Sequence, residues 1–491
     1  MGSQYAGYAY LLDADPIKAL ALDVSCQVMP INRKQRLENM LAIPASLIPE
    51  DTILAHILFA LKHEGVNLQI LAQALTLVDE LTIRETFDAS PTGKYIRIAC
   101  FLWEHFNRQP ICRTASLDRG NYVPLFDPQQ YITTQGYKDK RWRVQFNGLG
   151  SLQYCITVQR STRLTAALNK QVLEKTEAFT ASLDPDMLSR ALSWAYLSET
   201  RDSFAIEKEQ PDSGRMQRFT NLLRQAHNQR AIDEDYLIEL QNATLNNPFE
   251  RAASFRQQQN YLSNGPGALG VTYIPPQPEL CGELMECWIT LVNDMPDDVD
   301  PLVLGAVVAF GFVYLHPFMD GNGRLSRFMF HHVLCQKGSL SNGLILPVSA
   351  VLHDKERDYL NVLNAYSAKV REMWDITYID RDNLHLIFKG DASIYRYWDA
   401  TACAELMADA SEEAIEQYMK REVAYLSRYD ALKKRINLLF DINDKDLSRL
   451  VMLCLDQKGR LSKKRRDQYR YILPDEVFDT LEREYDALFD Q

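Results

Sequence analysis

His316-Pro317-Phe318-Met319-Asp320-Gly321-Asn322-Gly323-Arg324-Leu325-Ser326-Arg327 is the stretch from which the rest of the chain is read. Ahead of it, Asp300-Pro301 is an N-cap and first-turn pair that opens an apolar run ending at Leu315. Behind it, the spacing of Leu325, Phe328, Met329 and Val333 predicts a second helix. Gly321-Asn322-Gly323-Arg324 lets consecutive backbone N–H groups turn inward, and a glycine loop feeding a helix amino terminus is a phosphate cradle. Arg324 and Arg327 fall on nearly the same side of the first turn, where two guanidinium groups can grip a polyphosphate. Asp320 is spaced to hold Mg2+ against those phosphates, because magnesium bound with nucleotides takes one or two carboxylates and keeps several waters. His316 can accept a proton from an incoming hydroxyl near neutral pH, and Phe318 reads as an apolar anchor. Taken singly, His316 could instead be a helix C-terminal histidine and Asp-Gly-Asn-Gly a calcium-type loop. The combination points to a Mg-ATP site with its own base.

These residues resemble the Fic family signature, HPFx(D/E)GNGRxxR, with no departure at a defined position. The resemblance implies a mainly α fold: a Fic-type helical bundle core with a small β-hairpin flap, flanked by additional helical domains. It implies His316 as general base, Asp320 as the Mg2+ ligand, and Gly321, Asn322, Gly323, Arg324 and Arg327 as the nucleotide-phosphate site. The implied reaction is AMP transfer from ATP to a Ser, Thr or Tyr hydroxyl of a target protein, with pyrophosphate released.

Family members that carry their own inhibitor have an (S/T)xxxE(G/N) segment on a helix, and Ser203-Phe204-Ala205-Ile206-Glu207 resembles it upstream of the core. The resemblance pairs Glu207 with Arg327, restraining the resting enzyme. Lys208 departs from the Gly or Asn usual at the next position. Gly265 to Pro276 has the position and texture of the family's target-binding flap, whose main chain would pair with an extended target segment. Tyr359, in Arg357-Asp358-Tyr359-Leu360, resembles an adenine-side residue that stacks or hydrogen-bonds. His331 and Cys335 are an i, i+4 pair read as helix packing rather than metal ligands.

The 491 residues exceed one usual core. We divide them into an N-terminal helical domain (1–110), a β-containing arm or linker (111–160) carrying a hairpin-type Asn147-Gly148, a Fic core (161–390), and a C-terminal helical domain (391–491). A formal net charge of -11 argues against a chain-wide nucleic-acid surface. The dense basic run Lys458 to Arg470 is read chiefly as a solvated face paired with downstream acids, and otherwise as a patch for nucleic acid or an acidic partner. Nine scattered cysteines without a Cys-x-x-Cys pair suit a reduced, cytoplasmic protein. No apolar run approaches the roughly 20 residues of a membrane span, and neither a secretory signal nor myristoylation at Gly2 is expected. The N-terminal unit is a candidate for target selection or for pairing two copies as a homodimer.

The reading is therefore a protein adenylyltransferase restrained by Glu207. The alternatives are removal of AMP, with Glu207 positioning water, and a regulatory partner- or nucleic-acid-binding module. UTP or a phosphocholine donor is compatible with the same loop.

Overall fold

The computed structural model describes residues 4–13, 16–117, 120–245, 251–265, 267–338, 340, 343–379 and 384–489. Gly2, and position 266 within the Gly265 to Pro276 segment, lie outside them. The chain is mainly helical, with five small sheets of two or three strands among the described residues. No described helix is long and apolar enough to cross a membrane.

At the centre, helices Pro301–Leu315 and Asn322–Lys337 pack along each other, joined by the short loop 316–321. The first begins where the Asp300 carboxylate accepts from Leu302 N at 2.8 Å and Pro301 supplies a preset first turn. It is apolar on every side because helices Asn322–Lys337, Thr401–Glu413 and Pro278–Asn293 enclose it. Gly305 permits the closest approach of the pair: a Cβ there would meet the Phe330 ring at 2.8 Å. Helix Pro185–Ile206, capped by Asp184 onto Asp186 N and Met187 N, lies over the amino end of Asn322–Lys337.

The N-terminal region has its own core around Ile57, Leu71, Phe87 and Trp103. Residues 1–110, expected to be helical, also form a three-stranded sheet in which Ser25–Val28 pairs parallel, and Gln35–Arg36 antiparallel, with Met40–Ile43. Residues 111–160 do contain short strands, but Trp142 and Phe146 are buried in the N-terminal core. Strand Cys155–Thr157 pairs with Tyr397–Asp399 from the far side of the sequence. Asn147-Gly148 is not a two-residue hairpin turn, because the strands on either side of it pair elsewhere. The Asn147 amide is spent on both backbone groups of Phe126, at 2.9 and 2.8 Å, linking two segments outside the strands instead of closing a turn. An unexpected antiparallel hairpin, Trp374–Tyr378 with Leu384–Phe388, follows the core helices. The C-terminal helices Lys420–Leu439, Asp444–Asp456, Lys463–Tyr469 and Asp475–Phe489 enclose a third core around Leu432, Leu450 and Phe478.

Candidate active site

Helix Pro301–Leu315 ends on His316, which adopts φ 50° and ψ 59°, the left-handed region that non-glycine residues avoid. Its N–H still donates to Phe312 O at 2.9 Å, so the imidazole leaves the helix end at a fixed angle. The ring is buried, with Nδ1 3.1 Å from Asn260 Nδ2 and 3.2 Å from Asn322 Nδ2. Burial, assisted by the nearby Arg256 guanidinium, pushes the imidazole down to about 3. It is therefore neutral at physiological pH. Phe318 anchors the loop between Phe255 and Phe312.

Gly321, at φ +75°, is the N-cap of the second helix, and Gln241 closes over it by donating from Nε2 to Asp320 O. Asn322 locks the loop on itself: its Oδ1 accepts from Phe318 N at 3.0 Å and its Nδ2 donates to Phe318 O at 2.8 Å. Gly323 is required by its neighbour, because a Cβ would meet Glu207 Oε1 at 2.4 Å. That contact brings the Ser203 to Glu207 segment into the loop. Arg327 donates to Ser203 Oγ at 2.7 Å, to Ser203 O at 2.8 Å and to Glu207 Oε1 at 2.7 Å. The other Glu207 oxygen lies 3.0 Å from Arg324 Nε, as an ion pair rather than an aligned hydrogen bond. One carboxylate thus bridges both arginines.

Asp320 stands at the mouth, about half exposed, with its carboxylate 3.4 Å from Arg324. Tyr359 is buried edge-on to Phe310, and its hydroxyl lies close to Arg327 and Glu207. It backs Arg327. Beside the loop, Leu262–Ser263 and Val271–Tyr273 pair antiparallel with an irregular register. Gly267–Gly270, expected within a plain hairpin, is a single helical turn containing the fully exposed Leu269. His331 is not joined to Cys335: its Nε2 lies 2.9 Å from Glu199, while Cys335 faces His227 at 3.4 Å.

Residues 231–334 match the Fic/DOC family model. The chain carries a Fic domain. Among curated proteins it is 28% identical over 137 residues to the protein adenylyltransferase Fic of Nematostella vectensis, covering 27% of this chain and 28% of that protein. It is 30% identical over 136 residues to protein adenylyltransferase fic-1 of Caenorhabditis elegans, covering 27% and 24%. The match thus spans under a third of either relative. Solved structures with detectable likeness include a Fic family protein from Desulfovibrio desulfuricans, at 18% identity and TM-score 0.40 over 65% of this chain and 88% of that one. A Fic domain containing signaling protein from Bacteroides thetaiotaomicron gives 18% identity and TM-score 0.36 over 52% and 96%.

Four residues of the Fic site were not legible beforehand: Gln241, Arg256, Asn260 and Glu209. The first three act through backbone or ring contacts that only the fold creates. Glu209, two residues past a motif already singled out, was open to a charge count. Its carboxylate lies 3.1 Å from Arg324 and 2.6 Å from Arg215.

Proposed function

We propose that the chain transfers AMP from ATP to a Ser, Thr or Tyr hydroxyl of a target protein, and that Glu207 restrains it. The observation that carries this reading is the Glu207 carboxylate seated on Arg324 and Arg327 above the glycine loop. An anion of the chain itself occupies both guanidinium groups at a helix amino terminus, the environment that suits phosphate oxygens. Asp320 suits Mg2+: one half-exposed carboxylate supplies a single protein ligand and leaves other positions to phosphate and water. Bound there, Mg2+ would neutralise phosphate charge.

His316, neutral and buried, takes the proton from the attacking hydroxyl. The hydroxyl oxygen bonds to the α-phosphorus as the bond to the bridging oxygen breaks, and pyrophosphate departs with its negative charge held by Arg324 and Arg327. The flap strands present main-chain groups to an extended target segment. While Glu207 holds both arginines, nucleotide phosphates meet a carboxylate instead of two free cations. The restrained form is therefore the resting one.

Transfer of label from α-32P-ATP tests this. Glu207→Gly should label itself and added target more strongly than the parent protein. His316→Ala in that background should lose about 100-fold or more, and strong labelling by it would overturn the assigned base. Release of AMP from a modified target only while Glu207 is present would identify removal as the reaction.

A further inference from the structure

Arg324 is fully buried, yet its Nε has no aligned hydrogen bond. Two of the chain's own carboxylates crowd its guanidinium: Glu207 Oε2 lies 3.0 Å from Nε, and Glu209 Oε2 lies 3.1 Å from Nη1. Glu207 reaches on to Arg327 with its other oxygen, Oε1, at 2.7 Å. Glu209 uses the same oxygen twice, because Oε2 also lies 2.6 Å from Arg215 Nη2. One oxygen shared between two guanidinium groups is the environment of a bound phosphate oxygen. The site thus has two anion positions, one between Arg324 and Arg327 and one between Arg324 and Arg215. The chain fills both with its own acids.

Arg215 stands outside the glycine loop, in the first turn of helix Ser213–Arg224, where its N–H donates to the capping Asp212 at 2.8 Å. Its guanidinium is also held by groups other than Glu209. Nε donates to Thr244 O at 3.4 Å, and the guanidinium carbon lies 4.9 Å from the centroid of the buried Phe204 ring, which Arg324 approaches at 5.1 Å. With its side chain only 12% exposed, Arg215 is no ordinary surface partner for an acid.

In this cluster Arg215, Arg324 and Arg327 meet Glu207, Glu209 and Asp320, so positive and negative charge balance at rest. Glu207 and Glu209 share one turn, closed by Lys208 N to Ala205 O at 2.9 Å and by Glu209 N to Phe204 O at 3.1 Å. Opening that turn removes both acids and uncovers two positive charges in a largely covered site, where unpaired charge is costly. A polyphosphate brings consecutive anionic groups for both positions. AMP, with a single phosphate, does not.

We infer that Arg215 is a third phosphate-binding residue, which together with Arg324 takes a terminal phosphate oxygen of a nucleoside triphosphate at the position now filled by Glu209 Oε2. The inference rests on the nucleotide reading proposed above. It extends the phosphate site beyond the motif to helix Ser213–Arg224, and it favours a triphosphate donor over a phosphocholine compound. Arg215 then has two uses: it holds an inhibitory acid at rest and the nucleotide afterwards.

The test is calorimetric titration of Mg-ATP and of AMP into the full chain carrying Glu207→Gly, Glu209→Ala and His316→Ala. The first two changes empty both anion positions, and the third stops turnover. Adding Arg215→Ala should weaken ATP binding about tenfold, as loss of a hydrogen bond between charged groups does, and leave AMP within about twofold. Arg215→Lys keeps the charge without the planar fork and should weaken ATP about threefold; it decides the question if the alanine variant does not fold. ATP affinity unchanged in the variant that folds, or ATP and AMP weakened alike, would overturn the inference. Absence of ATP binding with Arg215 intact would overturn the proposed function and this inference with it.

Discussion

Glu209 presses a second carboxylate against the arginine that Glu207 already holds. Arg324 is fully buried, yet lies 3.0 Å from Glu207, 3.1 Å from Glu209 and 3.4 Å from Asp320. Lys208, between the two glutamates, takes φ +57°, the conformation in which glycine or asparagine is at ease. The lysine that departs from the inhibitory motif therefore keeps the motif's turn, and Glu209 N closes it onto Phe204 O at 3.1 Å. Removing Glu207 frees Arg327 but leaves Arg324 with two carboxylates. Glu207→Gly should thus be only partly released, and adding Glu209→Gln should tighten ATP binding by roughly three- to tenfold, the worth of about 1 kcal/mol. Calorimetric titration of both proteins with ATP decides it, and equal affinities would show that Glu209 serves only Arg215.

Between elements, helix Pro185–Ile206, which carries Ser203, is fastened to Asn322–Lys337 by a buried cluster far from solvent. Glu199 and His331 are fully buried and 2.9 Å apart, while Ser349 donates from N to Glu199 Oε2 at 2.8 Å and from Oγ to Oε1. Glu199→Ala deletes the acceptor of both Ser349 bonds and leaves those donors in a dry site, a loss of about 1–3 kcal/mol; Glu199→Gln, which keeps an acceptor and the shape, should lose less. Urea unfolding of the two variants measures the difference, and equal midpoints would remove the pair from any fastening role. None of this was legible. The loop from His316 to Arg327 could be read because its motif is written in adjacent residues, and Asp300-Pro301 because capping is local. Glu199, His331 and Asn260 acquire partners only when distant segments meet, and residue type alone does not name them. The Trp374–Tyr378 and Leu384–Phe388 hairpin was more accessible: His385 and Ile387 are exposed between the more covered Leu384, Leu386 and Phe388, a period-two signal. Asn147-Gly148 misled in the other direction, since the Asn147 amide serves the backbone of Phe126.

Across the whole molecule, some charges pair within a unit and others across units, as Lys369 does with Asp23 and Arg190 with Asp430. Within the basic C-terminal run, Arg460 pairs with Asp486, Arg466 with Asp479 and Glu482, and Arg470 with Asp475. In the two larger cores, buried histidines set the response to acid. Burial pushes His56 and His332 down to about 4 and His316 to about 3, from an ordinary value near 6.5. Each is neutral when folded, so between pH 6.5 and 4 the unfolded chain binds more protons, and stability falls as pH drops, by at most about 1.4 kcal/mol per unit per group. Glu64 acts oppositely. Burial raises its carboxyl to about 7 although it accepts from Tyr8 N at 3.0 Å, so between pH 4.5 and 7 the folded chain holds the extra proton and stability rises as pH drops. Glu64→Gln keeps the acceptor and removes the titration. It should therefore unfold at a higher temperature than the parent above pH 7, converge with it near pH 4.5, and lose stability more steeply between. Thermal unfolding at several pH values checks the prediction, and parallel curves for the two proteins would show that Glu64 titrates alike in both states.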